Sequence, residues 1–265
     1  MIITSKTNSK VKQAVALRDR RDRDRTSLFL IEGYREISRA LQAGVAFETL
    51  FFCPELFLGE NEEHILNGAS NCLQTTESVF RKLSYRDRPD GLLAIAHKMN
   101  LQFDQIQLKE NPCVVIAEAI EKPGNLGTII RSSDAAGIDL VIVANGCTDM
   151  YNPNVVRASV GTLFTIPVVE ATNEETLRFC RVHHLKLIAA TPEAETLYTD
   201  LPMLDGVGIV VGTEQLGLTS FWKRECDHMV RIPMHGVADS LNVATATTLV
   251  LYEVVRQRYA DSVRR

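Results

Sequence analysis

From Cys113 to the C-terminus the chain repeats one pattern: a short, mostly apolar run, followed in all but one case by a stretch that reads as helix. The runs are CVVIAEA, DLVIVAN, TIPVVE, LKLIAAT, VGIVVG and HMVRIPM. The helical stretches are NLGTIIRSSDAAG (closing at Gly137), NVVRASVGTLF, EETLRFCRVHH, LTSFWKREC and the long NVATATTLVLYEVVRQR. A strand that is apolar at every position has no face to give to water, so it belongs in a parallel sheet covered on both sides by helices. Residues 112–265 are therefore expected to form an α/β domain around an open parallel sheet. Ligands of such sheets sit outside the carboxyl ends of the strands.

Residues 1–97 have a finer texture. They open with a basic, helix-like segment. FLIEG then reads as a strand, YREISRALQAG as a helix closing at Gly44, and ETLFFCPE as a strand ending at its proline. EHILNGASNCLQTT and ESVFRKLS supply a helix, a strand and a helix, and GLLAIAHK a last strand. This predicts a small separate α/β domain. Residues 98–111, running through MNLQFDQIQLKEN, are polar with little apolar periodicity and are expected to be a linker.

Composition narrows the class. Of the residues, 45% are hydrophobic and 23% charged, as in ordinary globular chains. No apolar run approaches the roughly 18 residues that a membrane span needs. MIITSKTNSKVKQ lacks the apolar core of a secretory signal, so the expected location is the cytoplasm. Cys53, Cys72, Cys113, Cys147, Cys180 and Cys226 form no CxxC or CxxH, so no metal site is expected and the thiols are read as reduced and mostly buried. The net charge is −4, yet residues 1–40 carry ten Lys or Arg against five Asp or Glu. That end reads either as a basic arm for a polyanion or, because RDRRDRDR alternates in sign, as a solvated, salt-bridged helix.

The familiar nucleotide signatures GxGxxG, GxxxxGK[ST] and GxSxG are absent. Three loops after strands stand out instead. In EKPGNLGTIIR, Asn125 reads as the helix cap, with Arg131 almost two turns on; taken alone, these are equally a plain cap and a surface cation. In GTEQLGL an acid sits between Gly212 and Gly217. In HGVADSLNVAT, Asn242 reads as the N-cap of the last helix, whose first turn offers free backbone donors. That helix is apolar on several faces, which suggests burial against its own sheet and a partner subunit.

Together, NLGTIIRSSDAAG (residues 125–137), IVVGTEQLGL (209–218) and IPM followed by SLNVATA (232–234 and 240–246) resemble the three motifs of the SpoU family. These are the TrmH-like RNA 2′-O-ribose methyltransferases of the knotted SPOUT superfamily. Any one motif is common; the three in register are specific, and the resemblance covers residues 113–258. SKTNSKVK, FLIEG and GLLAIA are similar to the substrate-binding domain that many members carry, itself resembling ribosomal protein L30e.

The resemblance implies a C-terminal trefoil knot, S-adenosylmethionine bound in the knot loops largely by backbone, and a homodimer whose active site is completed across the interface. By position, Thr191, Gly212, Ile232, Met234, Leu241 and Ala246 are implied to line the cofactor pocket. Arg131 is implied to act on the ribose 2′-hydroxyl, with Asn125, Glu214, Ser240 and Asn242 orienting it, the ribose and the adjacent phosphate. The family assigns the arginine as a general base. A guanidinium does not readily give up its proton, so stabilising the developing alkoxide and gripping a phosphate is the role expected of it. Lys10, Arg18 and Arg35 at the basic end, and Asn154 and Arg157 after the second strand of the sheet, are the implied RNA contacts. Ribosomal RNA is the expected substrate, because the first domain resembles a ribosomal protein; transfer RNA comes second. The alternative is a non-catalytic RNA-binding or ribosome assembly factor of the same fold, against which the intact set of five motif residues argues. An unrelated nucleotide-binding enzyme is disfavoured by the missing phosphate loops. His183 and His184 read as helix-end residues, and His235 as a neighbour of the third motif.

Overall fold

The structure, a computed structural model, describes residues 2–213 and 217–264. It divides into two compact units. Unit 1 is Met1–Asn100 with Asp149–Thr165, and unit 2 is Leu101–Thr148 with Ile166–Arg265.

Up to Asn100 the elements are β1 (Ile2–Ile3), α1 (Ser9–Ala16), α2 (Arg20–Thr26), β2 (Leu28–Glu32), α3 (Tyr34–Gln42), β3 (Phe47–Phe52), α4 (Glu62–Gly68), β4 (Cys72–Thr75), α5 (Glu77–Leu83) and β5 (Leu92–His97). They build a five-stranded sheet in the order β1-β4-β3-β5-β2. β3 pairs antiparallel with β5, and β5 antiparallel with β2, while β4 lies parallel to both its neighbours. Leu30, Phe51, Leu93 and Ile95 meet Val11, Leu17 and Phe80 in one core. Every element expected from the sequence is present. The additions are β1, two residues long and too short to show a period, and a 3-10 turn at Pro54–Leu56. The alternating run forms a salt-bridged helix: Asp19 caps α2, and Arg20 with Asp24 (3.5 Å) and Arg25 with Asp22 (2.7 Å) pair along it.

The remaining elements are β6 (Cys113–Glu118), α6 (Pro123–Ala135), β7 (Leu140–Ala144), α7 (Pro153–Ala158), β8 (Val168–Ala171), α8 (Asn173–Val182), β9 (Lys186–Ala190), β10 (Val207–Val211), α9 (Ser220–Glu225), β11 (His228–Val230) and α10 (Val243–Arg264). The six strands form one sheet, β11-β9-β10-β6-β7-β8, parallel at every pairing. This is the architecture that the apolar runs predict. The strand order turns back between β6 and β10, the kind of place where such sheets open a crevice.

Three expectations need correction. Residues 98–111 are not a free linker. Leu101, Phe103, Ile106 and Leu108 pack on the core of unit 2, Phe103 stacks on Phe179 at 4.4 Å, and Gln102 and Gln105 close a capping box around a short 3-10 turn. Their apolar residues follow neither helical nor strand period because they lie along the surface of another element. NVVRASVGTLF is not one helix, because Val160 (φ 54°) and Gly161 (φ 80°) both turn left-handed and split α7 from a 3-10 turn at Thr162–Phe164. Gly161 is required there, since a Cβ would lie 2.8 Å from the Glu36 Cα. Residues 149–165, expected within the second domain, belong to unit 1. Asp149 forms a buried ion pair with Arg23 at 2.7 Å, the Tyr151 ring lies 4.6 Å from that of Phe29, and the Tyr151 hydroxyl donates to the Met99 carbonyl.

Candidate active site

The carboxyl ends of β9, β10 and β11 border a cavity of about 340 Å³. Thr191, Gly212, Ile232, Met234, Leu241 and Ala246 all line it, and so does Ser240. Each reaches the cavity through its element. Thr191 follows β9 and is held by its N–H on the Val230 carbonyl at 2.9 Å. Gly212 follows β10, where the chain doubles back: Thr213 and Gly217 exchange two backbone hydrogen bonds of 3.1 Å. A Cβ at Gly212 would lie 2.6 Å from the Gly217 carbonyl carbon, so only glycine fits. Ile232 and Met234 follow β11. Leu241 precedes α10, and Ala246 lies in its first turns.

Asn242 caps α10 as expected. Its Oδ1 accepts from the Ala244 N–H at 3.0 Å and the Thr245 N–H at 3.4 Å, while its Nδ2 donates to Asn125 Oδ1 at 3.1 Å. Asn125 is not a cap. Pro123 occupies the first position of α6 and Lys122 precedes it, which puts Asn125 inside the first turn. One turn pair further on, Ser132 and Thr248 share a hydrogen bond of 2.7 Å, so α6 and α10 are stitched at two levels. Arg131 is exposed on the helical face of Gly124 and Thr128, and makes no hydrogen bond or ion pair among the described residues. Glu214 lies outside the described residues.

The RNA candidates Lys10, Arg18, Arg35, Asn154 and Arg157 all fall in unit 1. Two have internal partners. Lys10 pairs with Glu48 at 3.1 Å, and Arg18 donates to the carbonyls of Lys82, Leu83 and Ser84, capping the C-terminus of α5. Arg35, Asn154 and Arg157 are exposed, and Arg35 borders a second cavity with Tyr34, Leu58 and Arg86. His183 caps α8 against Phe179, and His235 is exposed. Cys53, Cys113 and Cys180 are buried free thiols, and burial pushes each up to about 12.

Sequence reasoning missed the charged lining. Lys223 and Glu193, paired at 2.6 Å, and Asp239 all face the same cavity. The signal was present but weak: Glu193 and Asp239 follow apolar strands, as ligand-facing residues of such sheets do. The cavity suits a molecule with a flat apolar part and a charged end. Val211, Ile232, Met234, Leu241 and Val243 supply the apolar walls, Lys223, Glu193 and Asp239 the charges, and the bare Gly212 backbone a close approach. Its volume is within the roughly 300–1,000 Å³ of ligand pockets.

Comparison with known proteins agrees over the whole chain. The SpoU rRNA methylase family model matches residues 112–252, and the MRM3-like substrate binding domain model matches residues 8–94. The 23S rRNA (uridine(2479)-2′-O)-methyltransferase of Streptomyces viridochromogenes is 31% identical, over 97% of this chain and 92% of its own. A crystal structure of an RNA 2′-O ribose methyltransferase shares 40% identity, with a TM-score of 0.88 over 98% of this chain and all of that one. An AdoMet-bound rRNA methyltransferase from Sinorhizobium meliloti shares 32% identity at a TM-score of 0.88, over 97% of each chain. With a matching family model over more than half of its length, this chain belongs to the SpoU rRNA methylase family.

Proposed function

We propose that this protein methylates a ribose 2′-hydroxyl of ribosomal RNA, using S-adenosylmethionine held in the cavity at the ends of β9, β10 and β11. The observation that carries the reading is convergence: six residues scattered between Thr191 and Ala246 line one cavity, beside a pair at two helix N-termini, Asn125 and Asn242, that joins the first and third motifs. S-adenosylmethionine carries no phosphate, which accounts for the missing phosphate loops, and when bound it supplies an electrophilic methyl group on sulfonium. The apolar walls hold its base, and Lys223, Glu193 and Asp239 meet its charged end.

The remaining work belongs to the chain's own groups. Asn125 and Asn242 orient the ribose, and Ser240 faces it from the cavity rim. Arg131 stabilises charge as it develops on the 2′-oxygen and grips the neighbouring phosphate, remaining a cation throughout. Glu214 assists in orienting the nucleotide. Unit 1 engages the RNA through Arg35, Asn154 and Arg157.

The active form is a homodimer, with the C-terminal chain threaded as a trefoil knot. Leu249 and Tyr252 leave α10 with an exposed apolar face, and Arg131 stands exposed on the adjoining α6. Pairing of two copies over α10 covers the first and brings the second toward the partner's cavity. As a ribosomal RNA enzyme the protein works in the cytoplasm.

Transfer of labelled methyl from S-adenosylmethionine to ribosomal RNA tests the reading. Wild type is expected to be active. Arg131→Ala is expected to lose about 10²–10³ in kcat, with cofactor affinity, measured by calorimetry, little changed. Substantial activity in Arg131→Ala would remove this residue from the chemistry. Cofactor binding without transfer to any RNA would favour a non-catalytic assembly factor.

A further inference from the structure

Glu118 ends β6, inside the apolar run CVVIAE, and is only 1% exposed. A carboxyl in that position demands partners. Its Oε1 accepts from the Thr219 hydroxyl at 2.6 Å and from Asn173 Nδ2 at 3.0 Å, and its Oε2 accepts from the Thr219 backbone N–H at 3.0 Å. Asn173 in turn accepts from Trp222 Nε1 at 3.0 Å, and its backbone N–H donates to Asn145 Oδ1 at 3.2 Å. One network thus joins the ends of β6 and β7, the start of α8 and the start of α9.

What this network holds is a wall of the cavity. Thr219 is the residue before α9, yet its hydroxyl does not cap that helix, being committed to Glu118. Immediately before it, Leu218 is buried in the core and Gly217 closes on Gly212 and Thr213. Immediately after Trp222, Lys223 reaches the cavity. Gly217 and Lys223 therefore flank a short stretch, Thr219 to Trp222, that Glu118 and Asn173 pin at its two ends, and Gly212 and Thr213 close against Gly217. On its other side Glu118 adjoins Ala119, which turns left-handed (φ 49°) to send the chain toward Asn125.

We propose that Glu118 is a positioning residue for cofactor binding: by fixing Thr219 it sets the shape of the cofactor cavity wall, without touching cofactor or RNA. This rests on the cavity being the S-adenosylmethionine site.

The test separates positioning from plain stability. Glu118→Gln presents an amide N–H₂ to an N–H donor in either orientation. Thr219→Val removes the hydroxyl and keeps the backbone N–H, and Thr219→Ser keeps both donors. Full-length wild type and variants are titrated with S-adenosylmethionine by calorimetry and by the emission of Trp222, the chain's single tryptophan. In Glu118→Gln, Kd and KM for S-adenosylmethionine are expected to rise about tenfold or more. The kcat at saturating cofactor and the affinity for RNA stay near wild type, and Trp222 emission shifts. Thr219→Val shows a smaller change in the same direction, and Thr219→Ser behaves as wild type. The double variant Glu118→Gln/Thr219→Val is little worse than Glu118→Gln alone, because both break one link. Unchanged cofactor affinity in Glu118→Gln and Thr219→Val, with losses only in Tm or active fraction, overturns the proposal, as does additivity in the double variant. Should Glu118→Gln fail to fold, the Thr219→Val and Thr219→Ser pair decides alone. A wild type that binds no S-adenosylmethionine sinks the functional reading and this proposal with it, whereas variants that bind as well as an active wild type sink this proposal alone.

Discussion

Two buried acids, Asp149 in unit 1 and Glu118 in unit 2, are held in different ways. In unit 1, Asp149 is held by an opposite charge: Arg23 is 1% exposed and pairs with it at 2.7 Å. In unit 2, Glu118 at the strand ends is held by neutral donors alone, from Thr219 and Asn173. A buried ion pair locks two elements and is costly to break on one side. A carboxyl held by neutral donors fixes loop geometry instead, which is what a site that must shape itself around a ligand requires. The Arg23–Asp149 pair thus stitches the returning segment 149–165 for stability, and Glu118 ties the strand ends of unit 2 for shape.

The largest expected effect tests the first half of that contrast. Arg23→Ala leaves Asp149 buried without its partner and should destabilise the protein by about 3–5 kcal/mol, measured by urea unfolding. S-adenosylmethionine affinity of the folded protein should be unaffected. A loss below about 1 kcal/mol would put this pair with ordinary surface pairs and dissolve the contrast. Asn242→Ala probes the other side more gently. Loss of the α10 cap should cost about 1 kcal/mol, and the broken link to Asn125 should lower turnover further than stability alone explains. Unchanged unfolding would show that the cap contributes nothing.

These contrasts were unevenly legible in the sequence. The mostly apolar runs CVVIAEA to HMVRIPM pointed to the parallel sheet, because strands apolar on both faces are buried under helices on both sides. The cavity residues became legible only through the register of three motifs, since nothing local marks Ile232 or Ala246 as ligand-facing. The passage of residues 149–165 into unit 1 left no trace in periodicity: its anchors are Arg23, 126 residues upstream of Asp149 in the chain, and a left-handed Val160 that propensity disfavours. Nor did the linker reading survive, because Phe103 and Leu108 pack without repeating. Glu118 was visible as an acid closing an apolar strand, and a buried polar residue is the informative exception in such a run. Its partners, 55 and 101 residues away, were not.

The smallest effect sharpens the comparison through pH. Burial pushes the Glu32 carboxyl above its ordinary value, and the opposing pull of Ser84, the Tyr85 N–H and Arg86 does not offset it. Asp227, in unit 2, is also raised by burial, but the Leu187 N–H and Arg181 outweigh that and hold it below its ordinary value. The two therefore act with opposite sign. The folded state keeps the Glu32 proton where the unfolded chain has lost it, so stability falls as pH rises from the ordinary glutamate range through the raised value. Asp227 contributes fully above the ordinary aspartate range and loses its contribution as pH falls through its lowered value. Thermal unfolding between about pH 3 and 7 should show Glu32→Gln gaining on wild type as pH rises. Asp227→Asn should trail wild type near neutrality and converge with it in acid. If both variants moved in the same direction with pH, the opposite shifts of the buried Glu32 and the exposed Asp227 would have no energetic consequence, and only the geometry around Asp149 and Glu118 would still distinguish the two units.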